Sequence, residues 1–181
     1  ANNSIEGGPI ENAGANAAIT ITAWIRPFSL GGLRVIYVKG SNAICGNYGM
    51  KLSSGSLFQS SNGDTNVSGN ISLVANSWYH VAMVYNSSGS SGFVNGQYRA
   101  SSSDGTDSCV QLNWSIGKRP RADAEYFDGN IDEVYVFNRS LSPEQIRALY
   151  NNRTDLIVAE ETRDAGENWT ACVIPNDGYG D

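Results

Sequence analysis

Apolar and polar positions alternate strictly in the first well-patterned stretch of this chain. Ile19, Ile21, Ala23 and Ile25 occupy every second position, with Thr20, Thr22 and Trp24 between them, and Pro27 ends the run. A period of two predicts a strand with one buried face. Val35-Ile36-Tyr37-Val38 predicts a second strand, stopped at Gly40. Tyr48, Met50 and Leu52 share one face of a third, and Leu57-Phe58 follow across a short Ser-Gly turn. Residues 61–70 read as polar turn material. Trp78 to Tyr85 is apolar on both faces, which predicts a central strand covered on both sides. Asn95-Gly96 between Phe93-Val94 and Gln97-Tyr98 predicts a hairpin, because this pair suits a two-residue type I′ turn. Residues 101–108 form a Ser- and Asp-rich loop, and Val110 to Ile116 is a further strand ending at Gly117.

The period changes after residue 140. Ser142 suits an N-cap, Pro143 the first helical position, and Gln145 the third position of a capping box. Leu141 and Ile146 are placed for a hydrophobic staple, and Ile146, Leu149 and Tyr150 form one apolar stripe. So short a helix is unstable alone and must dock on something larger. Upstream, Phe127 to Phe137 reads as a strand, with a parity conflict inside it. Ile131 shares a face with Glu133 and Tyr135, whereas Asp132 shares one with Val134 and Val136. Either a bulge intervenes or one carboxylate is buried with partners.

Many short strands with regular turns predict a two-sheet sandwich. Three segments in order carry a resemblance: Ile19 to Pro27, Trp78 to Tyr85 followed by Phe93 to Gln97, and Ile116-Gly117 with Phe127 to Ile146. Together they resemble the LamG-like, or concanavalin A-like, jelly-roll domains, which are related to laminin G and pentraxin domains. The resemblance covers about residues 15–151. It implies an all-β jelly roll of two antiparallel sheets with one short C-terminal α-helix. It also implies a secreted or cell-surface protein, commonly non-catalytic, in adhesion or carbohydrate binding. The sandwich is assigned residues 1–153. Residues 154–181 change texture and are expected to be an added β segment or the start of a following module.

Charge and composition narrow the partners. A net charge of −6 with scattered Lys and Arg argues against nucleic acid or an anionic membrane. No apolar run approaches the ~18 residues of a membrane span. Residues 1–4 show neither a basic start nor an apolar stretch, so the chain reads as a mature product or an excised segment. Asn-x-Ser/Thr occurs at Asn2, Asn66, Asn70, Asn86, Asn113, Asn138, Asn152 and Asn168. This composition yields only about three by chance, so the excess points to a glycosylated secreted or surface protein. Of Cys45, Cys109 and Cys172, an outside compartment favours one pair, expected as Cys45 with Cys109. Cys172 is then free or bonded elsewhere.

Candidate chemistry is sparse. Glycoside hydrolases on this architecture need facing carboxylates, usually from a Glu-x-Asp strand, and no Glu-x-Asp occurs here. Asp123-x-Glu125 lacks a third acid. Asp132 and Glu133 should point to opposite faces, so the pair reads as an anchor for nearby backbone, Arg119 or Arg139 rather than as a ligand site. Calcium is the metal of many relatives, and Asp104 with Asp107 is the best local cluster, with Asp64 second. His80, the sole histidine, reads as a satisfied core or sheet-face residue. Trp24 and Trp78 read as core. The expected role is a non-catalytic recognition module that binds glycan or a surface protein through rim loops. The alternative is a structural subunit of a surface layer or filament, assembling through an edge, the C-terminal segment or Cys172.

Overall fold

A computed structural model describes residues 4–7, 18–39, 48–54, 56–61, 63–66, 73–103, 113–119 and 125–153. Eleven strands and one helix lie within them: β1 (Ile5–Gly7), β2 (Ile19–Pro27), β3 (Leu33–Lys39), β4 (Tyr48–Ser53), β5 (Ser56–Ser61), β6 (Gly63–Asn66), β7 (Tyr79–Asn86), β8 (Gly89–Val94), β9 (Gln97–Ser102), β10 (Trp114–Ile116), β11 (Gly129–Phe137) and α1 (Pro143–Tyr150). They form a six-stranded sheet ordered β1-β10-β3-β4-β5-β6 and a five-stranded sheet ordered β11-β2-β7-β8-β9. Every pairing is antiparallel. This is the expected all-β jelly-roll sandwich with one short helix.

Strand parity builds the main core. Ile19, Ile21, Ala23 and Ile25 of β2 and Val81, Met83 and Tyr85 of β7 are all buried against Ile36, Met50 and Leu52 of the opposite sheet. Tyr85 also ties the sheets together by hydrogen bonding. Its hydroxyl donates to the Gly49 carbonyl at 2.6 Å and accepts from the Gly49 N–H at 3.2 Å.

The alternate residues of β7 face the other way and are covered too. Ala82 and Val84 join Phe93, Leu141, Ile146 and Leu149 in a second apolar cluster beneath α1. The capping box forms: the Ser142 hydroxyl accepts from the Gln145 N–H at 3.3 Å, and the Gln145 side chain accepts from the Ser142 N–H at 2.9 Å. Thr20 pins the connection between β11 and α1 to β2. Its hydroxyl donates to the Arg139 carbonyl at 2.8 Å and accepts from the Leu141 N–H at 2.9 Å. The far end of α1 rests on the β8–β9 turn, where Asn95 and Gly96 have φ of 52° and 70°. A Cβ at residue 96 would lie 3.1 Å from Tyr150, so glycine meets both the left-handed backbone and the close helix.

Two expectations change. Gly63–Asn66 is not turn material but the edge strand β6, paired with β5 through Phe58↔Asn66 and Ser60↔Asp64. A short polar edge strand carries no apolar alternation to reveal it. Neither tryptophan read as core lies there: Trp78 precedes β7 and is 44% exposed, and Trp24 is half-buried on the face of β2 opposite Ala23 and Ile25. Residues 104–112 and 154–181 lie outside the described residues, and with them the boundary set at residue 153, Asp104, Asp107, Cys109 and Cys172. Cys45 lies outside them as well.

Candidate functional site

Helix α1 covers only part of the outer face of the five-stranded sheet. Beside it, one row of side chains crosses three strands. Asp132 of β11 is the ladder partner of Trp24 in β2, and Trp24 is the partner of His80 in β7. Directly opposed residues in antiparallel strands share a face. Since Ala23 and Ile25 point into the core, this row points outward.

Aromatic packing fixes the middle of the row. The Trp24 indole stacks on Tyr150 of α1 with centroids 5.8 Å apart and an angle of 28°. It meets the His80 ring edge-on at 5.5 Å and 63°. His80 is buried, and burial pushes its pKa down to about 4, so the imidazole is neutral at physiological pH. Its backbone is well held: the His80 N–H donates to Asn95 Oδ1 at 3.0 Å, and the His80 carbonyl accepts from the Asn95 N–H at 2.7 Å. Its Nδ1, however, has no hydrogen-bond partner among the described residues. The sheet-face placement matches expectation and the satisfied side chain does not.

The parity conflict in β11 resolves as a bulge. The register slips between Asp132 and Tyr135, and Glu133 takes a left-handed backbone with φ of 47°. Ile131 and Val134 thereby both pack on the main core, although regular alternation would separate them. Both carboxylates are left exposed. The expectation that they point to opposite faces is therefore corrected. Asp132 and Glu133 line one cleft of ≈180 Å³ together with Trp24 and Trp78.

The expected anchoring role holds only in part. Asp132 Oδ1 accepts from the Glu133 N–H at 2.9 Å. The arginines go elsewhere: Arg119 pairs with Glu125 at 3.2 Å, and Arg139 donates to Gln145 at 3.4 Å. Neither cleft carboxylate has an ion-pair partner among the described residues. Glu125 instead pairs with Lys51 at 3.8 Å and with Arg119, whereas Asp123 of the Asp-x-Glu motif lies outside the described residues.

Chemically, the cleft offers an indole face and carboxylate acceptors side by side. The arrangement suits a ligand with an apolar face edged by hydrogen-bond donors. A second hollow of ≈300 Å³ opens at the seam between β1–β10 and β11, lined by Ile5, Ile116, Phe127 and Ile131, and no ionisable side chain lines it. Phe127 packs on the main core, and its N–H donates to the Gly117 carbonyl at 2.8 Å. Trp114 stacks on Tyr37 with centroids 6.4 Å apart and an angle of 15°.

Among the described residues, no group of three or more His, Cys, Asp or Glu is arranged to hold a metal. The expected calcium residues Asp104 and Asp107 lie outside them, and so does the Asp64 side chain. Of the glycan acceptors, Asn138 and Asn152 are exposed and Asn86 and Asn113 are half-buried. Asn66 lies in β6, and Asn2, Asn70 and Asn168 fall outside the described residues. No helix among the described residues is long and apolar enough to cross a membrane.

Trp78 and the carboxylate pair were both visible in the sequence. The parity conflict was the signal for the bulge. Nothing local told which wall the bulge would build.

No curated protein matches the chain. Its fold is shared by the heptameric SAP-like pentraxin of Limulus polyphemus, with 17% identity, a TM-score of 0.60 and 82% of each chain covered. It is shared by domain 4 of AbnA, a GH43 extracellular arabinanase from Geobacillus stearothermophilus solved with arabinotriose. There the identity is 16%, the TM-score 0.63, and the cover 76% of this chain and 68% of that one. The Trypanosoma rangeli sialidase has 18% identity and a TM-score of 0.56, covering 80% of this chain but only 24% of its own length. The family described as the Concanavalin A-like lectin/glucanases superfamily matches residues 3–147, and the chain belongs to it.

Proposed function

We propose that this chain is a non-catalytic carbohydrate-recognition module of a secreted or cell-surface glycoprotein. Sugar would seat in the cleft on the outer sheet face rather than on rim loops. One observation carries the reading: in a lectin/glucanase jelly roll, the exposed Trp78 stands beside Trp24, Asp132 and Glu133 in a single cleft. A large exposed indole next to hydrogen-bond acceptors matches the two surfaces of a pyranose, an apolar face and an edge of hydroxyls. The complex of the arabinanase domain with arabinotriose supports glycan binding on this fold.

The non-catalytic reading rests on placement. Hydrolysis needs carboxyl groups on the two sides of the scissile bond. Asp132 and Glu133 are consecutive on one strand and belong to one wall of the cleft. The extracellular reading rests on the excess of glycan acceptors, with Asn138 and Asn152 exposed to receive them. Calcium through Asp104 and Asp107 is proposed as a separate contribution.

The test is a glycan array probed with the folded chain, with and without EDTA, followed by calorimetry on the hits. Retention on one glycan class, lost in Trp78→Ala, is the expected result. No binding to any glycan overturns the proposal, and release of reducing ends from a bound oligosaccharide overturns its non-catalytic part.

A second reading has one observation in its favour. Among the described residues the strand β11 ends its sheet; it is nine residues long and exposes Tyr135 and Val136. An open edge of that kind suits assembly of a surface layer or filament. Sedimentation of the purified chain as a concentration-independent monomer would remove this reading.

A further inference from the structure

The cleft carries negative charge that the protein leaves unbalanced. Asp132 and Glu133 line it without an ion-pair partner among the described residues, and no basic side chain lines it. The neighbouring cation on β2 is turned to other work. Arg26 donates from Nε to the Asn76 carbonyl at 3.1 Å, and its guanidinium lies 5.8 Å from the Phe28 ring centroid. The remaining walls are the indoles of Trp24 and Trp78. Both kinds of wall attract the same species. An indole face draws an organic cation through its quadrupole, and a carboxylate draws it by charge.

We propose that this cleft is a subsite for a sugar residue bearing a protonated amine. The inference rests on the glycan reading above and narrows it to a ligand class. A neutral sugar would hydrogen-bond to the carboxylates but bring no charge to meet theirs. An acidic sugar would bring a third carboxylate against two. An amino sugar supplies the missing cation, and its ring still stacks on indole. At ≈180 Å³ the cleft falls below the volume of drug-sized pockets and suits one small residue.

The local backbone supports the assignment. A left-handed glutamate is unfavourable by about 1 kcal/mol, and such strain persists where the surroundings impose it. Here the bulge sets Glu133 beside Asp132 in the lining of the cleft. The Asp132 carboxylate is in turn oriented by the Glu133 N–H.

Calorimetric titration of the full chain with four oligosaccharides of equal length tests the proposal: free glucosamine oligomers, their fully N-acetylated counterparts, neutral glucose oligomers and uronic-acid oligomers. The glucosamine oligomers should bind at least tenfold more tightly than the N-acetylated and neutral ones, with no binding of the uronates. That preference should fade as pH rises through the amine's pKa. Glu133→Gln and Asp132→Asn, each confirmed folded by an unchanged melting temperature, should each reduce the preference several-fold, and the double variant should abolish it. Equal binding of neutral and amino sugars, lost in Trp78→Ala, would overturn this inference and leave the glycan reading standing. Binding of no oligosaccharide would overturn both.

Discussion

Asp132 and Glu133 are consecutive residues of one strand, yet both line the same cleft. A regular strand would send them to opposite faces. The left-handed backbone at Glu133 inserts a bulge, so Ile131 and Val134 both reach the core while the two residues between them stay outside. One backbone irregularity thus serves packing and charge placement together.

Replacement of Glu133 by glycine and by alanine separates those roles. Both remove the carboxylate, but only glycine takes φ of 47° without penalty. The glycine variant should exceed the alanine variant in stability by about 1 kcal/mol, read by urea denaturation, while both show the same several-fold loss of amino-sugar preference. An alanine variant more stable than the glycine one would mean that residue 133 is not held left-handed.

Trp78 and Trp24 share the cleft but differ in structural weight. Trp78 is 44% exposed, whereas Trp24 is packed between His80 and Tyr150. Trp78→Ala should therefore abolish glycan retention and change stability by less than about 0.5 kcal/mol. Trp24→Ala should weaken binding and also destabilise by about 3 kcal/mol. Thermal melts set beside glycan-array signals check the contrast, and a large loss of stability in Trp78→Ala would contradict it.

The parts of the fold legible in the sequence are those set by local rules. The alternation of Ile19, Ile21, Ala23 and Ile25 fixes which face of β2 is buried, and that face is the core. The doubly apolar run in β7 requires cover on both sides, and the second cover is α1. Asn95-Gly96 and the Ser142–Gln145 box follow from backbone preferences of single residues. What escaped depends on partners distant in sequence. β6 is defined by pairing rather than pattern. Trp78 continues an apolar run yet stands one residue before the ladder begins. The cleft joins the start of β7, the middle of β2 and the bulge of β11, so no local window contains it.

Tyr85 makes the sandwich depend on one hydroxyl. It is fully buried in the five-stranded sheet and bonds both backbone groups of Gly49 in the other. Tyr85→Phe keeps the ring and leaves the buried Gly49 N–H and carbonyl without that partner. A loss of roughly 1–3 kcal/mol is expected, together with faster hydrogen exchange at the Gly49 amide. A loss within experimental error of zero would show that the hydroxyl does not tie the sheets.

His80 should make stability fall in mild acid. Its folded pKa is near 4 because burial disfavours the imidazolium, while in the unfolded chain it titrates near 6.5. Between these values the unfolded state binds the proton and the folded state does not, so stability rises with pH across that window. The contribution is fully present above pH ~6.5 and is lost progressively as pH falls toward ~4. The shift is equivalent to on the order of 3 kcal/mol at most. Chemical denaturation at a series of pH values should show a slope of one proton in this window, and His80→Gln should flatten it. An unchanged slope in the variant would assign the acid sensitivity to other groups and return His80 to a solvated, ordinary histidine.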